Sequence, residues 1–387
     1  MRFLHTSDLH IGKRVNEFSM MEDQKYILKQ ILNIAEEKQV DAVIIAGDVY
    51  DKAVPSAEAV QVFDKFLTDL AEGGKKVFVV SGNHDSPERI AFGAQLMSQR
   101  GVYMSPVYQE GAAKLSLKDE YGDIYIYLLP FLKPATVRHA LELESDGDAE
   151  ESEKEQISSY QDAVAFAVER MAADPKERNI LVAHQFVTGA GRCESEEVTV
   201  GGLDNVDADI FEDFDYVALG HIHSPQWIKR ETVRYCGTPL KYSFSEAEQE
   251  KSVMIAELKE KGKIELEKVL LVPLHDMRRI RGTYMEVTEK SFYEGTNTED
   301  YLEITLTDEE DILDGMQKLR IIYPNLMRLL YDNSRTRLNH IVEGTTEVEK
   351  KSELELFEEF YELQNNQPVS REQEEFLKNL IEDIREA

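Results

Sequence analysis

The sequence of 387 residues predicts an α/β fold: two mixed sheets packed together with helices outside, then a small α+β unit and a C-terminal helical hairpin. Three observations predict it. Short β-rich runs alternate with longer amphipathic segments through the first half, as βαβ units do. After about residue 210 the pattern becomes strand-rich, and past Pro273 the alternation restarts on a smaller scale. From about Asn339 polarity rises and two helix-start signatures appear. At about 150 residues per domain, the length accommodates two or three units.

Taken in order, the first strands are Phe3 to Thr6, Ala42 to Ala46 and Val77 to Val80, each β-rich and each running into a polar cluster. Helices are expected between them, over roughly Asp23 to Lys38 and Ser56 to Glu72. In the second, Val60, Phe63, Phe66, Leu67 and Leu70 form one apolar face that belongs in a core. Further strands are Ile124 to Leu129, Ile180 to Ala183, Tyr216 to Leu219, Val233 to Cys236, Val253 to Leu258 and Ile264 to Leu270. The last two are joined by the turn-like KEKGK and read as a hairpin. Between Glu142 and Glu155 eight acids stand against Lys154 without apolar periodicity, which reads as a solvated, mobile loop.

Past Pro273 the pattern is strand (Arg279 to Val287), helix, strand (Tyr301 to Leu306), helix (Asp311 to Ile322), strand (Leu326 to Tyr331). In the tail, Ser352 with Glu355 and Ser370 with Gln373 are capping-box patterns, each preceding an apolar face. From residue 341 onward 14 acids oppose 5 bases. An acidic-backed hairpin of this size is too small to fold alone and is expected to dock on a partner. The expected domains are therefore 1–274, 275–338 and 339–387.

Composition narrows the classes. Hydrophobic residues make up 42% and charged residues 31%, and no apolar run approaches the roughly 18 residues of a membrane span. The opening MRFLHTSD has neither a charged n-region nor an apolar h-region, so the cytoplasm is the expected location. Cys193 and Cys236 are too few for a sulfur-rich metal site, so any metal must be held by nitrogen and oxygen. The net charge of −31 opposes long-range steering of a polyanion. A nucleic-acid role would need bound cations, local basic patches or a basic partner.

The strand ends carry the chemistry: Asp8-Leu-His10, Gly47-Asp48, Gly82-Asn83-His84-Asp85, then His184, then Gly220-His221-Ile222-His223. The carboxyl ends of strands in an α/β sheet share one edge, so these residues can meet in space. Carboxylates mixed with imidazoles suit Mn²⁺, Fe²⁺ or Zn²⁺. Seven ligands exceed what one ion uses, whereas two ions bridged by one carboxylate would use them all.

These five motifs, in this order over roughly residues 1 to 240, resemble the calcineurin-like metallophosphoesterase superfamily. The resemblance implies an α/β/β/α metallophosphoesterase sandwich hydrolysing phosphoesters. It implies that Asp8, His10 and His223 hold one metal, that Asn83, His184 and His221 hold the second, and that Asp48 bridges them. It makes His84 the catalytic residue that protonates the leaving oxygen or stabilises the transition state, with Asp85 expected to orient it.

Further stretches, LHTSDLHIGKR, AGDVYDKAVPS, SGNHDS, FLKP, ALGHIHSPQ and VRYCGTPLKYSFSE, are similar to the SbcD family of nuclease subunits. That resemblance implies a Mn²⁺-dependent 3'-5' double-strand exonuclease with ATP- and partner-dependent endonuclease action on hairpins and blocked ends. Its setting is DNA recombination, replication and repair. It implies homodimerisation, an α+β unit that caps the site and contacts DNA, and a terminal hairpin that binds the ATPase SbcC in a heterotetramer. Asp51 departs from those relatives that carry a His three residues after the bridging Asp, so that His's role does not transfer. Lys13, Arg14, Lys52, Arg89, Arg138, Lys241, Arg278, Arg279 and Arg281 are candidate phosphate contacts. The alternative is a stand-alone small-molecule phosphodiesterase, against which the extra third of the chain counts.

Overall fold

The apolar runs that end in polar clusters form the central strands of the computed structural model. It describes residues 1–109, 111–144, 156–191, 193–196, 205–336, and beyond these residues 354, 357, 358, 361, 369–371, 373, 374, 376 and 377. The chain divides into two compact units, Met1–Leu274 and His275–Ala387. The strands of the first are β1 (Arg2–Thr6), β2 (Arg14–Val15), β3 (Phe18–Ser19), β4 (Ala42–Ala46), β5 (Lys76–Val80), β6 (Val102–Met104), β7 (Ala113–Asp119), β8 (Gly122–Leu129), β9 (Arg178–His184), β10 (Tyr216–Gly220), β11 (Gln226–Ile228), β12 (Arg230–Tyr235), β13 (Ser252–Leu258) and β14 (Ile264–Leu270).

Two six-stranded sheets result, in the orders β14-β13-β1-β4-β5-β6 and β11-β12-β10-β9-β8-β7. In each the central strands run parallel; antiparallel strands are added at one flank of the first sheet and at both flanks of the second. Ala42 to Ala46 are wholly buried on both faces, as parallel strands covered on two sides must be. Ile44, Ala46, Phe78 and Val80 meet Ile126, Leu128, Val182 and Ala218 in the layer between the sheets. Each fully buried Val, Leu, Ile or Phe among them contributes about 1.5–3 kcal/mol, and the alanines less. On the far face of the second sheet, Leu129, Leu181 and Leu219 pack against Val137, Ala140, Ala163 and Val164 of helices Pro134–Glu144 and Tyr160–Arg170. Helix α1 spans Met21–Glu37, and α2 spans Ala57–Glu72 with Ser56 as its N-cap, accepting from Ala59 N at 3.2 Å. Phe63, Phe66, Leu67 and Leu70 of α2 are buried, whereas Val60 is exposed and leaves the expected apolar face.

One ionic knot ties the two sheets at the edge away from the strand ends. The terminal ammonium of Met1 donates to Asp119 at 2.7 Å and to Leu258 O at 2.9 Å. Arg178 donates to Asp119 at 2.6 Å and to the carbonyls of Gly122 and Lys259 at 2.6 and 2.9 Å.

The second unit holds β15 (Met277–Gly282), β16 (Tyr301–Leu306) and β17 (Leu326–Tyr331), all parallel, over a core of Ile280, Val287, Leu302, Ile304, Leu306, Leu319 and Tyr323. The strand expected over Arg279 to Val287 stops at Gly282. Thr283 and Glu286 close a capping box there and start the helix Tyr284–Thr288. The helix expected over Asp311 to Ile322 is confined to Gly315–Leu319.

Two expectations fall largely outside the described residues. Of the acidic run, Glu142 to Glu144 end the helix Pro134–Glu144 instead of opening a loop, and residues 145–155 lie outside. Of the terminal hairpin, Ser352 and Glu355 lie outside, while Ser370 and Gln373 exchange the two bonds of a capping box at 2.9 and 3.3 Å. Among the described residues no helix is long and apolar enough to cross a membrane.

Candidate metal centre

The ends of β1, β4, β5, β9 and β10 deliver their polar residues to one place because backbone bonds cross-link the loops. Asp8 N donates to Gly47 O at 3.0 Å and His10 N to Asp48 O at 2.9 Å. His221 N donates to Asp8 Oδ1, and His84 N to Asp48 Oδ1, both at 2.9 Å. Asp8, His10, Asp48 and His221 all have positive φ, between 45° and 102°. Such backbone costs on the order of 1–3 kcal/mol per residue and persists where its surroundings over-determine it. Two glycines set the approach distances: a Cβ at Gly82 would lie 2.0 Å from Asp48 Oδ1, and one at Gly220 would lie 1.8 Å from Ala46 O.

All seven expected ligands come together. Asp8, His10 and His223, each buried, present ligand atoms within 4.8 Å of one another, and Asp8, Asp48 and His184 do the same. His10 Nε2 and His223 Nε2 face each other at 3.2 Å. Asp48 Oδ2 is central, 3.4 Å from His184 Nε2, 3.6 Å from His10 Nε2 and 3.9 Å from His84 Nε2. Asn83 Oδ1 lies 2.8 Å from His221 Nδ1 and 3.1 Å from His184 Nε2. His184 Nδ1–H donates to Ala46 O at 2.9 Å, which turns Nε2 toward the cluster as the nitrogen that could ligate a metal.

The loop after β5 differs from expectation in one respect. Asp85 does not orient His84: its carboxylate accepts from Val49 N, Tyr50 N and Gly82 N at 3.1, 3.0 and 2.9 Å, clamping the loops after β4 and β5 together. His84 is instead held by the carbonyl of Asp51, which accepts from its Nδ1–H at 3.2 Å. The Asp51 carboxylate pairs with Lys13 at 2.8 Å and stands 3.9 Å from His10 Nδ1. Gln24 of α1, which no motif marks, is buried and donates to His10 O at 2.7 Å while accepting from Gly12 N at 2.9 Å.

The electrostatics are those of carboxylates and imidazoles buried together. Burial and the neighbouring Asp48 raise the Asp8 carboxyl to about 7 against the pull of His184. Burial lowers His184, but Asp48 outweighs it and lifts the imidazole to about 9. Burial holds His10 and His223 well below the ordinary histidine value. Asp48 stays well below the usual carboxylate range because His184, His10 and His84 outweigh its burial. Asp8 Oδ2 and His10 Nδ1 are buried and find no hydrogen-bond partner among the described residues. Carboxylate oxygens and imidazole nitrogens converging in one buried cluster fit a divalent cation, which would reverse the penalty on Asp8.

The candidate phosphate contacts are mostly engaged within the chain. Arg278 pairs with Asp300, Arg279 with Glu303 and Arg281 with Asp332, at 2.6, 3.0 and 2.5 Å. Arg138 donates to Ile157 O and Lys241 to Ala247 O, and Arg14 to Glu17 O. Lys52 and Arg89 are exposed.

Fold and donor set together define a hydrolytic enzyme of one class. Residues 1–225 match the family model described as calcineurin-like phosphoesterase, and the chain belongs to that family. Residues 273–365 match a second model, described as type 5 capsule protein repressor C-terminal domain. Within the class, the chain is 32% identical over 391 residues to the SbcD component of the SbcCD nuclease from Staphylococcus epidermidis, covering 99% of each, and is a homologue of that nuclease. Among solved structures, a dimetal phosphatase from Danio rerio is similar at a TM-score of 0.41 and 11% identity, covering 69% of this chain and 95% of its own.

Proposed function

We propose that the chain is the nuclease subunit of an SbcCD-type complex, hydrolysing phosphodiesters of duplex DNA ends and hairpins in the cytoplasm. The observation that carries it is the meeting of Asp8, His10, Asp48, His184 and His223 within one buried cluster, with Asn83 bonded to His184 and His221. In this reading Asp8, His10 and His223 hold one divalent ion, Asn83, His184 and His221 the other, and Asp48 serves both. Two such ions, Mn²⁺ being the proposed species, would polarise the phosphoryl group and activate water near neutral pH.

The remaining work falls to His84. Its Nδ1–H is committed to Asp51 O, so Nε2, 3.9 Å from Asp48 Oδ2, is the atom that holds or gives a proton. It is also less buried than His10 and His184, with 13% of its side chain exposed, as a group meeting substrate must be. We assign it protonation of the leaving oxygen. Residues 275–338 are proposed as a DNA-contacting unit and 339–387 as the SbcC-binding hairpin of a complex built on a homodimer. The net charge of −31 supports weak DNA binding by the chain alone and strong binding only with its partner.

The test is cleavage of an end-labelled DNA hairpin in Mn²⁺, with and without SbcC and ATP, beside His84→Ala. The expected result is partner- and ATP-stimulated cleavage, lost in a His84→Ala protein that retains its metal. Activity confined to small phosphodiesters and indifferent to SbcC would overturn the nuclease assignment.

A further inference from the structure

Behind the proposed ligand His223 lies a chain of polar side chains, buried at Glu246 and Lys251 and half-buried at Ser195. The second ring nitrogen of His223, Nδ1, lies 2.7 Å from Ser195 Oγ. The same hydroxyl donates to Glu246 Oε1 at 2.6 Å. Glu246 is wholly buried, and its other oxygen accepts from Lys251 Nζ at 2.5 Å, within a pair whose exposures are 0% and 4%. Lys251 also donates to His223 O at 2.9 Å. Glu246 further accepts from Ser243 Oγ at 3.1 Å and Tyr242 N at 3.3 Å, so the hub is fully bonded.

The directions of these bonds leave one arrangement. A carboxylate paired with an ammonium only accepts, so the single hydroxyl hydrogen of Ser195 must point at Glu246. The Ser195 oxygen can then only accept from His223, which puts the ring hydrogen on Nδ1 and leaves Nε2 bare. That bare nitrogen is the one facing His10 and Asp8. We propose that Ser195 and Glu246 are positioning residues, a Glu–Ser–His relay that fixes the tautomer and ring plane of His223 for metal binding. The inference rests on the assignment of His223 to the metal centre. Neither Ser195 nor Glu246 belongs to any of the strand-end motifs. They reach His223 because Glu194 N donates to Ser245 Oγ at 3.2 Å, joining the two loops.

The experiment uses the full chain, titrated with Mn²⁺ alone and followed by the resonance of the free ion, for wild type, Ser195→Ala and Ser195→Thr. Ser195→Ala should bind one ion about 10- to 100-fold more weakly, the usual cost of losing an outer-shell partner. Ser195→Thr, which keeps the hydroxyl, should restore it. The ¹⁵N shifts of the metal-free wild type should report His223 protonated on Nδ1, and Ser195→Ala should lose that preference. Wild type that binds no Mn²⁺ would overturn the metal assignment itself. Wild type that binds two ions while Ser195→Ala binds them equally tightly, or a wild-type His223 protonated on Nε2, would overturn the relay alone.

Discussion

Replacing Gly220 by Ala tests the idea that the centre is built by the close approach of two sheets. Gly220 ends β10 of one sheet, and Ala46 ends β4 of the other. The added Cβ would stand 1.8 Å from Ala46 O and 2.8 Å from His184 Nδ1, so the carbonyl must retreat by about 1.6 Å to reach the 3.4 Å of ordinary contact. That movement breaks the His184 Nδ1–H bond to Ala46 O, at about 1 kcal/mol. Overpacking adds about 1–3 kcal/mol, for a total of about 2–4 kcal/mol. With an unfolding entropy of roughly 2.1 cal/mol/K per residue over the unit Met1–Leu274, the melting temperature should fall by about 4–7 °C. Hydrolysis should fall about 100-fold, since an ångström of displacement at a ligand misplaces the reacting groups. Calorimetry and a chromogenic phosphodiester assay would measure both. Gly191→Ala is the control, because among the described residues its Cβ meets only Gln226 Oε1, at 3.9 Å. A Gly220→Ala protein melting within a degree of wild type at full activity would refute the argument.

Burial raises the Asp119 carboxyl, but Arg178 and the Met1 ammonium outweigh it and hold it well below the usual range. Its stabilisation is therefore fully present above the unfolded value of about 3.9 and is lost as pH falls below it. Asp119→Asn should cost about 1.5–3 kcal/mol at neutral pH, with the difference from wild type shrinking in denaturant titrations at increasingly acid pH. Chelation should abolish hydrolysis, and restoring a divalent ion at about 100 times its Kd should raise stability by about 2.7 kcal/mol, read by thermal unfolding. Ser56→Ala removes the cap of α2 and should cost about 1 kcal/mol in the same assay while leaving hydrolysis unchanged.

The central strands and the convergent donors were legible because each is a short apolar run stopping at a ligand-type residue, a pattern that needs no tertiary information. The edge strands β6, β7 and β11 were missed for a physical reason. Edges are short or half-exposed, and Ala113 to Asp119 carry Lys114, Ser116 and Lys118, so their apolar signal is weak. The strand over Arg279 to Val287 ran too far because Thr283 and Glu286 were read as strand and not as a capping box. Asp85 was misjudged since adjacency to His84 in sequence says nothing of where its carboxylate finds donors. Three backbone amides from two loops were available to it. Ser195 and Glu246 act through hydrogen bonds between loops distant in sequence, and Gln24 through bonds from α1 to the loop 12 and 14 positions before it, none of which a motif spacing encodes.

The crossing of Asp8 Oδ1 with His221 N spans 213 positions of chain, as does the approach of His10 to His223. A chain emerging from the ribosome thus holds the first donors long before the last ones exist. Until both sheets have closed, Asp8, His10 and Asp48 are ordinary exposed side chains with weak appetite for a cation. Unlike a zinc finger, in which the metal drives folding, the proposed centre would take up a cation only after the scaffold is complete, so that metal supply would govern the activation of the protein and not its synthesis.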